Sequence, residues 1–286
     1  MIVITGATGQ LGRLVLAQLL ERGVPAAQIV AAVRNPAKAA DLAARGVQVR
    51  EADYNRPETL AAAFAGADRV LLISSSEIGQ RLSQHRAVVQ AAKQAGVGQL
   101  VYTSLLHADR SPLALADEHR ATEALIAESG VPHTLLRNGW YTENYLASLQ
   151  AALQHGAFIG SAGQGRIASA TRADYAAAAA AALVQPVAPS RVLELAGDSS
   201  YTLAELVDEL NRQAGSSVCY QDLPQADYAA ALVGAGLPQG FADLLADSDV
   251  GASQGGLFDD SRQLSALIGR PTTPLAVAMK AALARA

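Results

Sequence analysis

The chain has 286 residues, of which 50% are hydrophobic and 17% charged, with a formal net charge of −4 and a pI near 5.7. That length and apolar content suffice for a sizeable core and for one large or two modest domains, and they exclude a disordered chain. The acidic balance and the absence of any polybasic cluster offer no general attraction to nucleic acid, and no apolar run reaches membrane-spanning length.

A cytoplasmic protein is expected, because an apolar strand pattern occupies the place where a signal peptide would sit. Cys219 is the only cysteine, which excludes an internal disulfide and a cysteine-rich zinc cluster; it reads as a small buried hydrophobe.

Ile2, Val3 and Ile4 form a β-branched run that predicts a buried strand, while Leu11, Leu14, Val15 and Leu19 recur at helical spacing. Between them "TGATGQLG" places Gly6, Gly9 and Gly12 on a strand-to-helix turn. The spacing is GxxGxxG, one residue longer at its start than the commonest dinucleotide fingerprint. A helix that starts there presents unpaired N–H groups and the positive end of its dipole, and glycine lets a diphosphate approach the backbone. The segment Gly6, Ala7, Thr8, Gly9, Gln10, Leu11 and Gly12 is therefore expected to grip a dinucleotide; the competing reading is a glycine-rich turn with close helix packing.

After this first helix, which the pattern ends at Gly23, strands alternate with helical segments: "QIVAAV", Pro36 to Arg45, "VQV", Pro57 to Phe64, "RVLLI", Ser83 to Ala95, "QLVYT", Ala116 to Ser129 and "HTLLR". The alternation predicts an α/β fold with a doubly wound, Rossmann-like parallel sheet covered on both faces. Beyond about Tyr145 the rhythm becomes irregular, but a helix over Asp174 to Leu183 and the strand "RVLEL" belong with the main sheet. The alanine run Ala176 to Ala182 suits close packing of a helix on that sheet. From about Thr202 the chain reads as mostly helical, with a final helix near Pro274. The expected division is a dinucleotide-binding domain over 1–144, rejoined by 171–197, and a smaller part on the substrate side over 145–170 and 198–286 that covers the cleft.

Ligands of such sheets bind beyond the carboxyl ends of the strands. The second strand ends in "VRNPAK", with Arg34 where an NAD enzyme would usually carry an acid. An arginine suits a 2′-phosphate, so NADP(H) is the expected cofactor, with Lys38 as a second cation. The fourth strand ends in "SSSE", placing Ser74, Ser75 and Ser76 beside the ribose and nicotinamide path, or in a capped loop. Asp53 and Tyr54 either border the adenine or form a turn.

The fifth strand runs into "YTSLLHAD" and the next helix begins "LADEHRATE". This arrangement resembles short-chain dehydrogenases of the extended and atypical kinds, in which a strand serine precedes a helix carrying YxxxKxxxE. Ser104 matches the serine and Glu123 the glutamate; His119 then stands at the lysine position and Leu115 at the tyrosine position. Without the tyrosine, ordinary carbonyl–alcohol chemistry lacks its proton donor. A quinone accepts a hydride and spreads the charge over its ring and oxygens, so that water can protonate it later.

Together "TGATGQLG", "VRNPAKA", "LLISSSE", "YTSLLHAD", "TLLRNGWYTENYL", "IASATRADYAAAA", "LAGDS" and "DSDVGASQGGLFDD" resemble the NmrA-like atypical short-chain dehydrogenases, and among them the flavin-free NADPH:quinone oxidoreductases. The resemblance implies that Asn138, Gly139, Trp140, Tyr141, Thr142 and Glu143 border the nicotinamide and the substrate, and that Arg172 contributes to the cofactor pocket. Trp140 and Tyr141 could stack on a flat quinone or pack in the core. Asn138 could bond a quinone oxygen or the nicotinamide amide, or form a turn. His107 and His119 are candidates to donate to a quinone oxygen, against a structural role; His85 and His155 lack supporting context. Asp247, Asp249, Asp259 and Asp260 read as caps and turns, and no metal is expected.

The expected function is NADPH-dependent quinone reduction by direct hydride transfer, with no flavin. A redox sensor that binds NADP(H) and a protein partner without turnover is the alternative. A reductase or sugar-nucleotide epimerase with relocated acid–base groups is a third reading, against which Leu115 speaks.

Overall fold

The computed structural model describes residues 1–77, 79–187 and 189–285. By contact density the chain divides into two bodies. The first holds Met1–Leu105, Glu118–Asn138 and Arg172–Leu193; the second holds Leu106–Asp117, Gly139–Thr171 and the residues from Glu194 onward. Among the described residues no helix is long and apolar enough to cross a membrane.

In chain order the elements are β1 (Ile2–Thr5), α1 (Gln10–Glu21), β2 (Ile29–Val33), α2 (Ala40–Ala44), β3 (Gln48–Glu51), α3 (Pro57–Phe64), β4 (Arg69–Leu72), α4 (Arg81–Gln94), β5 (Gln99–Leu105), α5 (Ala116–Ser129) and β6 (His133–Asn138). There follow α6 (Thr142–Leu146), α7 (Leu149–His155), β7 (Ala157–Gly160), α8 (Arg172–Val184), β8 (Arg191–Leu195), α9 (Leu203–Ala214), β9 (Cys219–Asp222), α10 (Gln225–Gly234), α11 (Gln239–Ser253), α12 (Gln263–Ile268) and α13 (Leu275–Leu283).

The main sheet has the order β3-β2-β1-β4-β5-β6-β8. Its β1–β2, β1–β4, β2–β3, β4–β5 and β5–β6 pairs are all parallel, with Val3 opposite both Val30 and Val70. This is the doubly wound Rossmann-like arrangement expected from the alternating pattern. Strands buried on both faces need continuous apolar runs, and β2 and β5 are buried along their whole length. The strand order reverses between β1 and β4, and a ligand crevice opens at that switch point, beyond the strands' carboxyl ends.

The alanine run is explained by packing. Residues Ala176 to Ala182 are all buried, and α8 lies against α1 and against β4, β5 and β6. Side chains of one carbon let this helix fit between a sheet and a second helix. The turn after β2 departs from the sequence reading. Pro36–Ala39 forms a 3-10 turn rather than the start of a longer helix, with the Asn35 Oδ1 accepting from the Ala37 N–H at 3.0 Å.

In the second body, β7 and β9 pair in parallel as a separate two-stranded sheet, which the irregular sequence rhythm did not predict. Cys219 stands at its start and is exposed, correcting the expectation of a buried thiol. A two-stranded sheet has no interior strand, and three of the four β9 residues are exposed. Of the acids set aside as caps and turns, Asp247 accepts from the Ala114 N–H and Asp259 from the Ser261 N–H, both at 2.9 Å. Asp249 is buried, accepts from the Tyr145 hydroxyl at 3.0 Å and the Ser161 N–H at 2.9 Å, and is pushed up to about 6 by that burial.

Candidate functional site

A cavity of about 540 Å³ opens at the switch point of the first body. It is lined by Gly6, Thr8, Gly9, Gln10, Leu11 and Gly12, by Arg34 and Lys38 beyond β2, and by Ser74, Ser75 and Ser76 beyond β4. Thus three separate sequence predictions converge on one space. Ala7 is fully buried beneath it and does not line it. Asp53 and Tyr54 do, together with Asn35, Asn55, Glu77 and Gln84, which sequence reasoning did not assign.

The glycine loop owes its shape to missing side chains. Gly6 has φ +60°, a left-handed conformation that suits glycine, and its carbonyl accepts from the Gly9 N–H at 2.9 Å. Gly9 caps α1 in an extended conformation with no side-chain hydrogen bond, and no acidic residue occupies the first turn. The helix N-terminus therefore keeps its partial positive charge for an anion. Thr5 ties the end of β1 to β4, its hydroxyl donating to the Leu71 carbonyl at 3.0 Å and accepting from the Ile73 N–H at 3.1 Å. Arg13 ties the loop to the turn after β2 by donating to the carbonyls of Thr8 and Lys38 at 3.3 and 3.0 Å.

The serine loop is held from behind. The Ser74 N–H donates to Thr103 Oγ1 at 2.9 Å and the Ser75 N–H to His85 Nε2 at 3.0 Å. His85 Nδ1 lies 3.0 Å from Thr122 Oγ1, whose own proton goes to the Glu118 carbonyl. His85 must then be neutral, with its proton on Nδ1, and burial pushes it down to about 3. His119 is 4% exposed and does not line the cavity; its Nδ1 lies 2.7 Å from the Tyr102 hydroxyl. Burial holds it well below the usual histidine range, with the Arg81 charge adding in the same direction.

The acid sensitivity of the fold follows from these histidines. Both are lowered in the folded chain, so the unfolded chain takes up protons first, and stability is full above about pH 6.5 and falls toward pH 3. His85 alone contributes a slope of about 1.4 kcal/mol per pH unit. Asp249 opposes it, because its raised value makes the folded chain the better proton acceptor between pH 6 and 3.8. We expect a net loss of stability between pH 7 and pH 5, read as a lower urea midpoint; equal midpoints at the two values would contradict it.

A family model described as NAD(P)H-binding matches residues 6–186. The chain belongs to the NAD(P)H-binding family. It is 63% identical to quinone oxidoreductase 2 of Escherichia coli (strain K12) over 96% of both chains. An Escherichia coli NADPH-dependent quinone oxidoreductase crystallised with NADPH superposes with a TM-score of 0.97 at 62% identity, covering 99% of this chain and 100% of that one. An NmrA-like family domain-containing oxidoreductase of Aspergillus flavus is 30% identical over 76% of this chain and 72% of its own. The NmrA-like resemblance read from the motifs therefore stands.

For an NAD(P)H-binding protein the cavity has a fitting donor set: an uncapped helix start, a cradle that tolerates close approach at its glycines, and two cations beyond β2. Asn138 ends β6, is 5% exposed and does not line the cavity; its Oδ1 has no hydrogen-bond partner among the described residues. Arg172 is the first residue of α8 in the same body.

The remaining predicted residues belong to the second body. The Gly139 N–H donates to the Leu195 carbonyl at 2.8 Å, and Tyr141 bridges to Ala170. Thr142 bonds the Ala170 carbonyl and the Ser169 hydroxyl, while Glu143 lies in the first turn of α6. Trp140 is 8% exposed and packs 6.4 Å from the Tyr145 ring. His107 adopts φ +52°, and its ring lies 3.2 Å from the Phe258 carbonyl, 3.5 Å from Asp259 and 3.6 Å from Glu194.

Proposed function

We propose that this chain reduces quinones by two electrons at the expense of NADPH, in the cytoplasm, with no flavin and no metal. The observation that carries the reading is the convergence of the Gly6–Gly12 cradle with Arg34 and Lys38 on one cavity, in a chain this similar along its whole length to a quinone oxidoreductase. The cradle would hold the diphosphate and Arg34 with Lys38 the 2′-phosphate. Ser74, Ser75 and Ser76 would face the ribose on the nicotinamide side, supported by Arg172. Asn138 Oδ1 would accept from the carboxamide.

When bound, the reduced nicotinamide supplies a hydride. The protein's part is to fix the two rings against each other and keep water out of the contact. Leu115 at the relay position supplies no proton, and a quinone does not need one at that moment. His119, buried and neutral, holds Tyr102 instead of facing the cavity.

The test is loss of reduced-nicotinamide absorbance when flavin-free protein meets NADPH and a small benzoquinone, corrected for the uncatalysed reaction. Turnover faster than with NADH supports the reading; NADPH binding with no rate above background favours a redox sensor. Arg34→Ala is expected to weaken NADPH binding roughly tenfold to a hundredfold while NADH changes by less than about twofold. Equal losses for both would remove the phosphate assignment.

A further inference from the structure

Arg34 does not stand free at the rim of the cavity. Its Nη1 donates to Glu77 Oε1 at 2.7 Å, and the second oxygen of the same carboxylate accepts from Gln84 Nε2 at 2.6 Å. Arg34 follows β2 and Glu77 follows β4, while β1 lies between those strands in the sheet. The pair therefore reaches across the carboxyl end of β1, where the glycine loop leaves the sheet.

Glu77 is also fixed in place. Its side chain is 34% exposed, against 67% for Arg34. Its backbone N–H donates to Ser75 Oγ at 3.2 Å, and Gln84 is 2% exposed. The carboxylate is thus the anchored half of the pair and the guanidinium the more exposed half. Glu77 holds only Nη1, so a phosphate that takes the remaining donors of Arg34 shares the guanidinium with a carboxylate, and as a dianion beside that carboxylate it is also repelled. A ribose 2′-hydroxyl has the opposite preference: it donates to a carboxylate and gains little from a guanidinium.

We infer that Glu77 is a specificity-determining residue that competes with the cofactor's 2′-phosphate for Arg34, so that it restrains the preference for NADPH over NADH. This rests on the proposed binding of NADPH in this cavity. Glu77→Gln keeps the side-chain length and an oxygen for Gln84 but removes the charge. It is expected to lower the Kd for NADPH roughly threefold to tenfold and to leave the Kd for NADH unchanged or higher.

Isothermal titration of the purified protein with each cofactor tests this independently of turnover. Wild type, Arg34→Ala, Glu77→Gln, Glu77→Ser and the Arg34→Ala/Glu77→Gln double variant form the set. Both single Glu77 variants should tighten NADPH, and in the Arg34→Ala background Glu77→Gln should change NADPH affinity by less than about twofold, because there is no guanidinium left to compete for. Unchanged or weaker NADPH binding in the Glu77 variants, or the same gain without Arg34, overturns the inference while leaving NADPH binding intact. A wild type that binds no NADPH, or equal losses of both cofactors in Arg34→Ala, overturns the cavity's assignment and the inference with it.

Discussion

Replacing Gly12 by alanine is expected to weaken NADPH binding by more than about tenfold and to lower the unfolding free energy by about 3 kcal/mol. An added Cβ would sit 2.4 Å from the Gly6 carbonyl oxygen and 2.8 Å from the Ala7 Cα. Both neighbours are backbone, so no side chain can swing aside to make room. The helix would have to retreat, yet Leu11, Val15, Leu16 and Leu19 anchor α1 in the core and α8 packs against it. The strain therefore falls on the turn from Gly6 to Gly9, where the diphosphate is proposed to lie. Gly9 makes a useful contrast: its added Cβ would meet only the Gly6 carbonyl oxygen, at 3.2 Å, so the same substitution there should cost less. Urea unfolding and cofactor titration check both; wild-type values for Gly12→Ala would refute the close-packing role.

What could be read from the sequence was what depends on neighbours in the chain. The apolar run, the glycine spacing and the helical period around Leu11 to Leu19 are local patterns, and so is an arginine directly after the all-buried β2. These sufficed to find the fold and most of the cavity wall. Glu77 stood in plain view after three serines, but its meaning depends on β1 lying between β2 and β4, which brings it to an arginine 43 positions away. His85 lacked local context for the same reason: it supports Ser75 because α4 returns over the end of β4. The small sheet of β7 and β9 joins two four-residue strands far apart in sequence, too short for a pattern. Cys219 was misplaced with it, since burial of a lone thiol cannot be inferred without knowing that its strand has an open face.

Ser104 and Glu123 show how a family signature can survive with a structural purpose. The Ser104 hydroxyl donates to Glu123 Oε1 at 2.5 Å, and Arg137 grips the same carboxylate through Nε to Oε1 at 3.0 Å and Nη2 to Oε2 at 2.7 Å. Glu123 and Arg137 are each 9% exposed. The serine proton is thus committed to the interior of the first body, joining the ends of β5 and β6 to α5. Glu123→Ala is expected to cost about 3–5 kcal/mol, because it strips a buried guanidinium of its bidentate carboxylate. Ser104→Ala removes one donor to a carboxylate that keeps the Arg137 fork, and should cost about 1–2 kcal/mol.

Neither residue lines the cavity, so at temperatures where Glu123→Ala remains folded its NADPH affinity should stay within about twofold of wild type. A large stability loss with intact binding identifies the triad as scaffold. A selective loss of turnover in a stably folded Glu123→Ala protein would instead return Ser104 and Glu123 to the reaction itself.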